Sequence, residues 1–318
     1  MGRWKELMRI IPISYPINMD DLDLIVGEQV VAIGDFDGVH LGHQEVIGRA
    51  LRTAKNLGLK AAIMTFHPHP RAVMGQDRYT DLITPMSKKM KMFESLGVNH
   101  TYIVTFDASL MRLSPEYFVD QVLDRLGVES VICGFDFTFG FQGKGTPDSL
   151  CELSHGKFSV EVVRPFHMDG EKVSSTLIRE SLQQGDIDTV TRLLGRPYSI
   201  SGIVVDGEKR GRTLGFPTAN IQLDESYVIP TNGVYAINAS VKGETYKGVM
   251  NIGVKPTFTT GELKPSFEAH LFDFSEQIYG EHMNVELIAF LRSERKFSSL
   301  DDLVTQIKLD VETAKNKL

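Results

Sequence analysis

The chain has 318 residues, more than one hydrophobic core usually organises, so two domains are expected. Hydrophobic residues at 42% and charged residues at 24% exclude a disordered chain, and a formal charge of −7 argues against a nucleic-acid partner. Two cysteines without CxxC spacing exclude a stapled secreted fold, and the lack of a membrane-length apolar run argues against a membrane partner; a cytoplasmic protein is expected.

In chain order, residues 1–26 read as an N-terminal extension, in which Glu6, Arg9, Pro12 and Pro16 interrupt any signal-peptide core. Val30–Ile33 is a short apolar run that reads as a strand covered on both faces. His43–Leu57 carries apolar residues at helical spacing and closes at Gly58. The alternation continues with a strand at Ala61–Phe66, a helix at Met86–Leu96 and a strand at Tyr102–Phe106. It ends with a helix at Pro115–Leu126 and strands at Ser130–Cys133 and Phe158–Val163. Strands and helices alternating in this way predict a parallel, doubly wound α/β sheet. Ligands of such sheets sit at the carboxyl ends of the strands.

Two short helices, Ser175–Gln184 and Ile187–Leu194, precede a change of rhythm. From Tyr198 onward the runs Ile200–Val205, Val234–Val241, Tyr246–Ile252, Phe267–Phe274 and Val285–Leu291 are separated by turn residues alone. These predict an antiparallel barrel or sandwich, closed by an amphipathic helix at Leu300–Ala314. The boundary is placed near Gly195–Pro197, giving domains of residues 1–195 and 196–318.

Three segments carry chemistry. Gly34-Asp35-Phe36-Asp37-Gly38-Val39-His40-Leu41-Gly42-His43 joins the first buried strand to the first helix. A glycine-bearing turn at a helix N-terminus offers amides and a positive dipole to phosphates, and two histidines stand at the same end. Val173-Ser174-Ser175-Thr176-Leu177-Ile178-Arg179 opens a later helix with capping hydroxyls and a guanidinium. In the second half, Gly207 to Asn220 combines a basic, glycine-rich loop with Pro217-Thr218-Ala219-Asn220. Thr218 and Asn220, two apart, can turn a hydroxyl and an amide oxygen toward one hard cation such as Mg²⁺. No GxxxxGK[ST] loop occurs.

His-x-Gly-His with its flanking Gly-x-Phe-Asp-Gly-Val-His resembles the nucleotidyltransferase signature, and Ser-Ser-Thr-x-x-Arg a second motif of that superfamily. Thr65-Phe66-His67-Pro68 and Gly134-Phe135-Asp136-Phe137-Thr138-Phe139-Gly140 narrow the resemblance to prokaryotic FAD synthetases; Thr138 stands where that family often has arginine. The Gly207–Asn220 string resembles the riboflavin kinase signature, as do the stretches at 233–236, 248–258, 267–274 and 290–297; Lys255 replaces an arginine common there. Almost the whole chain therefore resembles the bifunctional riboflavin kinase/FMN adenylyltransferase family.

The resemblance implies an α/β nucleotidyltransferase domain followed by a β-barrel kinase domain, with ATP, riboflavin, FMN and FAD as substrates and products and Mg²⁺ as cofactor. It implies that His40 and His43 contact phosphate in the transition state, and that Ser175, Thr176 and Arg179 hold the triphosphate. Gly34, Phe36, Asp37, Gly42, Lys209, Gly211, Thr218 and Asn220 are implied at ATP, with Thr218 and Asn220 at the metal. Phe66, Asp136, Phe137, Phe139 and Arg292 are implied at flavin, and Glu268 as the base of the kinase. For Phe137 and Phe139, strand spacing fits core packing as well as flavin contact. His270 reads as structural. Oligomeric state is open, a monomer included.

Overall fold

The computed structural model describes residues 7–17, 27–207, 211, 214–256 and 263–318. By packing, the chain divides into two compact units, residues 1–173 and 174–318.

The first unit is a six-stranded, wholly parallel sheet. Its elements in chain order are β1 (Arg9–Ile13), β2 (Gln29–Ile33), α1 (Leu41–Leu57), β3 (Lys60–His67), α2 (Pro70–Val73), α3 (Met86–Leu96) and β4 (His100–Thr105). There follow α4 (Ala108–Met111), α5 (Pro115–Phe118), β5 (Val128–Gly134), α6 (Pro147–Leu153) and β6 (Ser159–Val163). A small ribbon, β7 (His167–Met168) with β8 (Glu171–Lys172), completes the unit. The strand order is β1-β4-β3-β2-β5-β6. Every residue of β2 is buried, as expected for a central strand covered by helices on both faces. One layer of core packs α1 and α3 on the sheet around Ile47, Ala50 and Phe93. The other packs residues 110–126 and Leu150 on the opposite face.

Two features differ from expectation. Part of the N-terminal extension is β1, an edge strand paired in parallel with β4. It is mostly exposed and contains Pro12, which an edge tolerates because half its backbone donors face no partner strand. The expected helix at 115–126 is a helical path in three pieces: α5, a π turn at Val119–Leu123 and a 3₁₀ turn ending at Leu126. Gly127 then ends it at φ 64°.

The second unit begins with α7 (Ser175–Gln184) and α8 (Ile187–Leu194), which pack on each other, with α8 also against the barrel strands. The barrel strands are β9 (Tyr198–Val205), β10 (Ala219–Leu223), β11 (Gly233–Val241), β12 (Glu244–Pro256), β13 (Leu263–Leu271) and β14 (His282–Ser293). They close in the order β10-β13-β12-β11-β14-β9, every pair antiparallel. Tyr235, Ile237 and Ala239, at alternate positions of β11, are fully buried. On the other face Val234, Ala236, Val249 and Phe272 pack against α9 (Leu300–Lys317) through Val311, Ala314 and Leu318. The expected boundary near 195–197 thus falls after a helix pair that packs with the barrel.

Candidate active sites

In the sheet, β3 and β4 lie to one side of β2 while β5 and β6 lie to the other. The loop after β2 therefore opens at the topological switch point, where parallel sheets present ligand crevices. That loop is the Gly34–His43 turn. Its backbone is strained at residues without the excuse of glycine: Phe36 has φ 54° and Val39 has φ 41°. A left-handed β-branched residue is costly, and such strain persists only where surroundings enforce it. Here they do. Phe36 and Val39 are buried, and the Phe36 ring lies edge-on to Phe93 and His43. The Phe36 ring also lies so close under Gly34 that a Cβ there would sit 3.0 Å from it. Asp37, also buried, accepts hydrogen bonds from the backbone amides of Ile83 (2.9 Å) and Thr84 (3.1 Å), tying the turn to the segment that leads into α3.

The two histidines are not exposed turn residues. His40 is buried and caps α1, its Nδ1 accepting from the His43 amide at 3.2 Å. With Nδ1 accepting, Nε2 is the ring nitrogen left to donate. The rings stack at 3.5 Å between centroids. His43 Nδ1 is enclosed and has no hydrogen-bond partner among the described residues. Burial, then the His40 ring and the Lys89 ammonium, push the His43 pKa well below its ordinary value. His43 is thus a neutral imidazole near neutral pH, at a helix N-terminus, with an unsatisfied polar atom.

A second layer supports the turn, which sequence reasoning did not single out. His69 Nε2 meets the Asp35 carboxylate at 2.5 Å, while its Nδ1 accepts from the Arg71 amide. Arg71 and Arg78 both donate to the Tyr79 hydroxyl, at 2.5 and 2.8 Å. Burial alone would raise that phenol, but the bonds from Arg78 and Arg71 outweigh it and lower it. The His-Pro-His-Pro run at 67–70 was the only available signal.

The aromatic residues implied at flavin belong to, or pack against, one core cluster. Phe139 is core, stacked with the half-buried Phe137 at 5.7 Å, and Phe66 is core beside Phe106. Asp136 is exposed and pairs with Lys172 at 3.0 Å. Ser175 and Thr176 open α7 behind the cap Ser174, with Arg179 buried one turn on.

In the barrel, Glu268 is the central residue of a row. It stands opposite Asn220 of β10 and opposite Asn251 of β12. Lys255 reaches back to its carboxylate at 2.6 Å. Thr218 lies one residue before β10. The backbone there is held by His270, whose Nδ1–H donates to the Pro217 carbonyl at 2.8 Å. Gly211 anchors the same loop by accepting from the Phe216 amide at 2.8 Å. Lys209 lies outside the described residues.

Arg292 is engaged in a bidentate pair. Its Nε and Nη2 meet the buried Asp310 of α9 at 2.9 and 2.7 Å, and Gln306 adds a further bond to Asp310 at 2.7 Å. This strut fixes α9 on β14. Beside it, residues 295–300 and Leu303 line an open cleft of about 570 Å³.

The FAD synthetase family model matches residues 25–177, and the riboflavin kinase family model matches residues 194–318. The chain belongs to the bifunctional riboflavin kinase/FMN adenylyltransferase family. A relative of that description from Bacillus subtilis is 46% identical over 96% of this chain and 97% of its own length. Another from Haemophilus influenzae is 41% identical over 90% of this chain and 92% of its own length. A solved structure from Streptococcus pneumoniae, described as a macrolide-efflux protein, superposes with a TM-score of 0.87 at 31% identity, covering 96% of this chain and 99% of that one. Among the described residues here, no helix is long and apolar enough to cross a membrane. The two family models fall on the sheet and the barrel in the order that the two signatures implied.

Proposed function

We propose that this chain makes FMN and FAD at two separate sites, each using ATP. The observation that carries the reading is the stacked His40–His43 pair at the head of α1, on the turn that follows the central strand β2. Such an arrangement suits an anion whose charge grows during reaction.

At the sheet, an FMN phosphate oxygen attacks the α-phosphorus of ATP as the bond to the β-phosphate oxygen breaks, and pyrophosphate leaves. No covalent intermediate on the protein is needed. His40 and His43 donate hydrogen bonds to the phosphoryl oxygens. Gly34 and Gly42 let backbone approach the nucleotide, while Phe36 and Asp37 hold the turn from beneath. Ser175, Thr176 and Arg179 take the triphosphate. Phe66, Asp136, Phe137 and Phe139 form the flavin side. In this reading α7 serves the adenylyltransferase, so the functional division remains at 195/196.

At the barrel, Glu268 accepts the proton of the ribityl hydroxyl as that oxygen attacks the γ-phosphorus of ATP, the bond from that phosphorus to the bridging oxygen breaks, and ADP leaves. Lys255 keeps the carboxylate in place. Lys209 and Gly211 belong to the ATP loop. The Thr218 hydroxyl and the Asn220 amide oxygen fit Mg²⁺, a hard cation that takes few protein ligands and keeps water. Gly207 leaves the space that this needs, since a Cβ there would stand 2.1 Å from the Asn220 amide. The ion would offset charge on the transferring phosphoryl group. Arg292 serves flavin indirectly, by setting α9 and the cleft at 295–303. Both cysteines are free thiols, which suits a reducing cytoplasm.

The test crosses two variants with two substrates. His43→Ala should lose FAD formation from supplied FMN and keep FMN formation from riboflavin. Glu268→Gln should show the reverse. Loss of both activities in either variant, with the fold intact, would defeat the division of labour.

A further inference from the structure

Lys89 lies in the first turn of α3 with 1% of its surface exposed. Its ammonium donates one hydrogen bond, to the Asp35 carbonyl oxygen in the Gly34–His43 turn, at 2.8 Å. No carboxylate pairs with it among the described residues. Buried charges are normally paired, because an isolated one forfeits its hydration. The bond to Asp35 does not explain the charge, since that carbonyl also accepts from the neutral Thr65 hydroxyl at 2.9 Å and a neutral donor would serve it as well. Helix formation does not explain it either. A cation in a first turn opposes the helix dipole, and the first turn of α3 has no acidic residue to offset it.

What remains is the position. The Asp37 carboxylate clamps the amides of Ile83 and Thr84, fixing the start of α3 against the turn that carries both histidines. The Lys89 charge is thereby lodged behind that turn, and its field reaches His43. We infer that Lys89 supplies a fixed, buried positive charge to the adenylyl-transfer site, stabilising the negative charge that builds on the phosphoryl group. It transfers no proton and need not touch substrate; it is a positioning residue of the site. In a low-dielectric interior such a charge is little screened and needs no reorganisation during reaction. The anion that it favours is the polyphosphate of ATP with the FMN phosphate beside it. The inference rests on the reading of the Gly34–His43 turn as the transfer site.

The experiment is Lys89→Met in the full chain, with Lys89→Arg and His43→Ala alongside. Methionine keeps the length and apolar stem while removing the charge. FAD formation from supplied FMN and Mg-ATP should fall in kcat/KM by about 10- to 100-fold. FMN formation by the barrel should stay within about twofold, and the melting temperature should hold or rise, because an apolar replacement of a buried charge is often neutral or stabilising. Lys89→Arg should retain more activity than Lys89→Met. A merely structural lysine predicts a different pattern, with melting temperature and activity falling together and arginine giving no advantage; that outcome overturns the inference, as does Lys89→Met with adenylylation within about threefold of the parent. If His43→Ala loses adenylylation while Lys89→Met keeps it, Lys89 alone is misassigned. If both keep it, the turn is not the transfer site.

Discussion

Asp310→Ala is expected to cut a buried ion pair. Asp310 is 7% exposed and Arg292 21%. The carboxylate accepts from Arg292 Nε at 2.9 and 3.1 Å, from Nη2 at 2.7 Å and from Gln306 at 2.7 Å. Removing it strands a guanidinium in a site made for a charge partner, at a cost of about 3 kcal/mol. For a unit of this size each kcal/mol shifts the midpoint by about 2–4 °C, so scanning calorimetry should show a fall of roughly 6–12 °C. The same loss frees α9 from β14, so the KM for riboflavin should rise while adenylylation of supplied FMN holds. The double variant Arg292→Met with Asp310→Leu should recover most of the lost stability, because no unpaired charge remains. A fall below about 2 °C for Asp310→Ala, or no recovery in the double variant, would refute the strut.

The lowered His43 pKa has a definite sign: its neutral form is favoured in the folded protein, so this contribution is present above the ordinary histidine pKa and is lost as pH falls through the folded one. Adenylylation should therefore hold its rate below pH 6.5, and an acid limb centred at or above 6.5 in kcat would contradict the assignment. Thr218→Ala should raise the Mg²⁺ concentration that supports FMN formation and leave FAD formation from FMN at its parental Mg²⁺ response; equal shifts in both would remove Thr218 from the metal. Gly202→Ala should destabilise the barrel by more than about 2 kcal/mol, since its Cβ would meet the Gln222 carbonyl oxygen of the paired strand at 2.1 Å; urea denaturation with an unchanged midpoint would contradict this.

Much of this architecture is legible in local sequence. The β2 run Val30–Ile33 has no polar residue to face solvent, and it is a fully buried central strand. Helices α7 and α8 end where Gly185 and Gly195 adopt left-handed conformations, at the expected positions. What escaped depends on partners distant in sequence. Strand β1 carries little periodicity of its own and is made by pairing with β4, about ninety residues on. Strands β12 and β13 run longer than their apolar cores, because their polar ends pair with each other around Lys255 and Lys264. The π turn at 119–123 has no sequence mark that we can name. The signatures point to two candidate sites, since each motif is contiguous. Their supports are not contiguous: Lys89 reaches Asp35 from 54 residues away, and Arg292 finds Asp310 across 18. In sequence alone, Lys89 is one lysine among three in an amphipathic helix.

The most direct test of the account is a time course of the purified full chain with riboflavin, ATP and Mg²⁺, the flavins separated by chromatography. The account predicts FMN first, then FAD with one pyrophosphate released for each FAD formed. Neither flavin product from riboflavin, and no FAD when FMN is supplied instead, would contradict it.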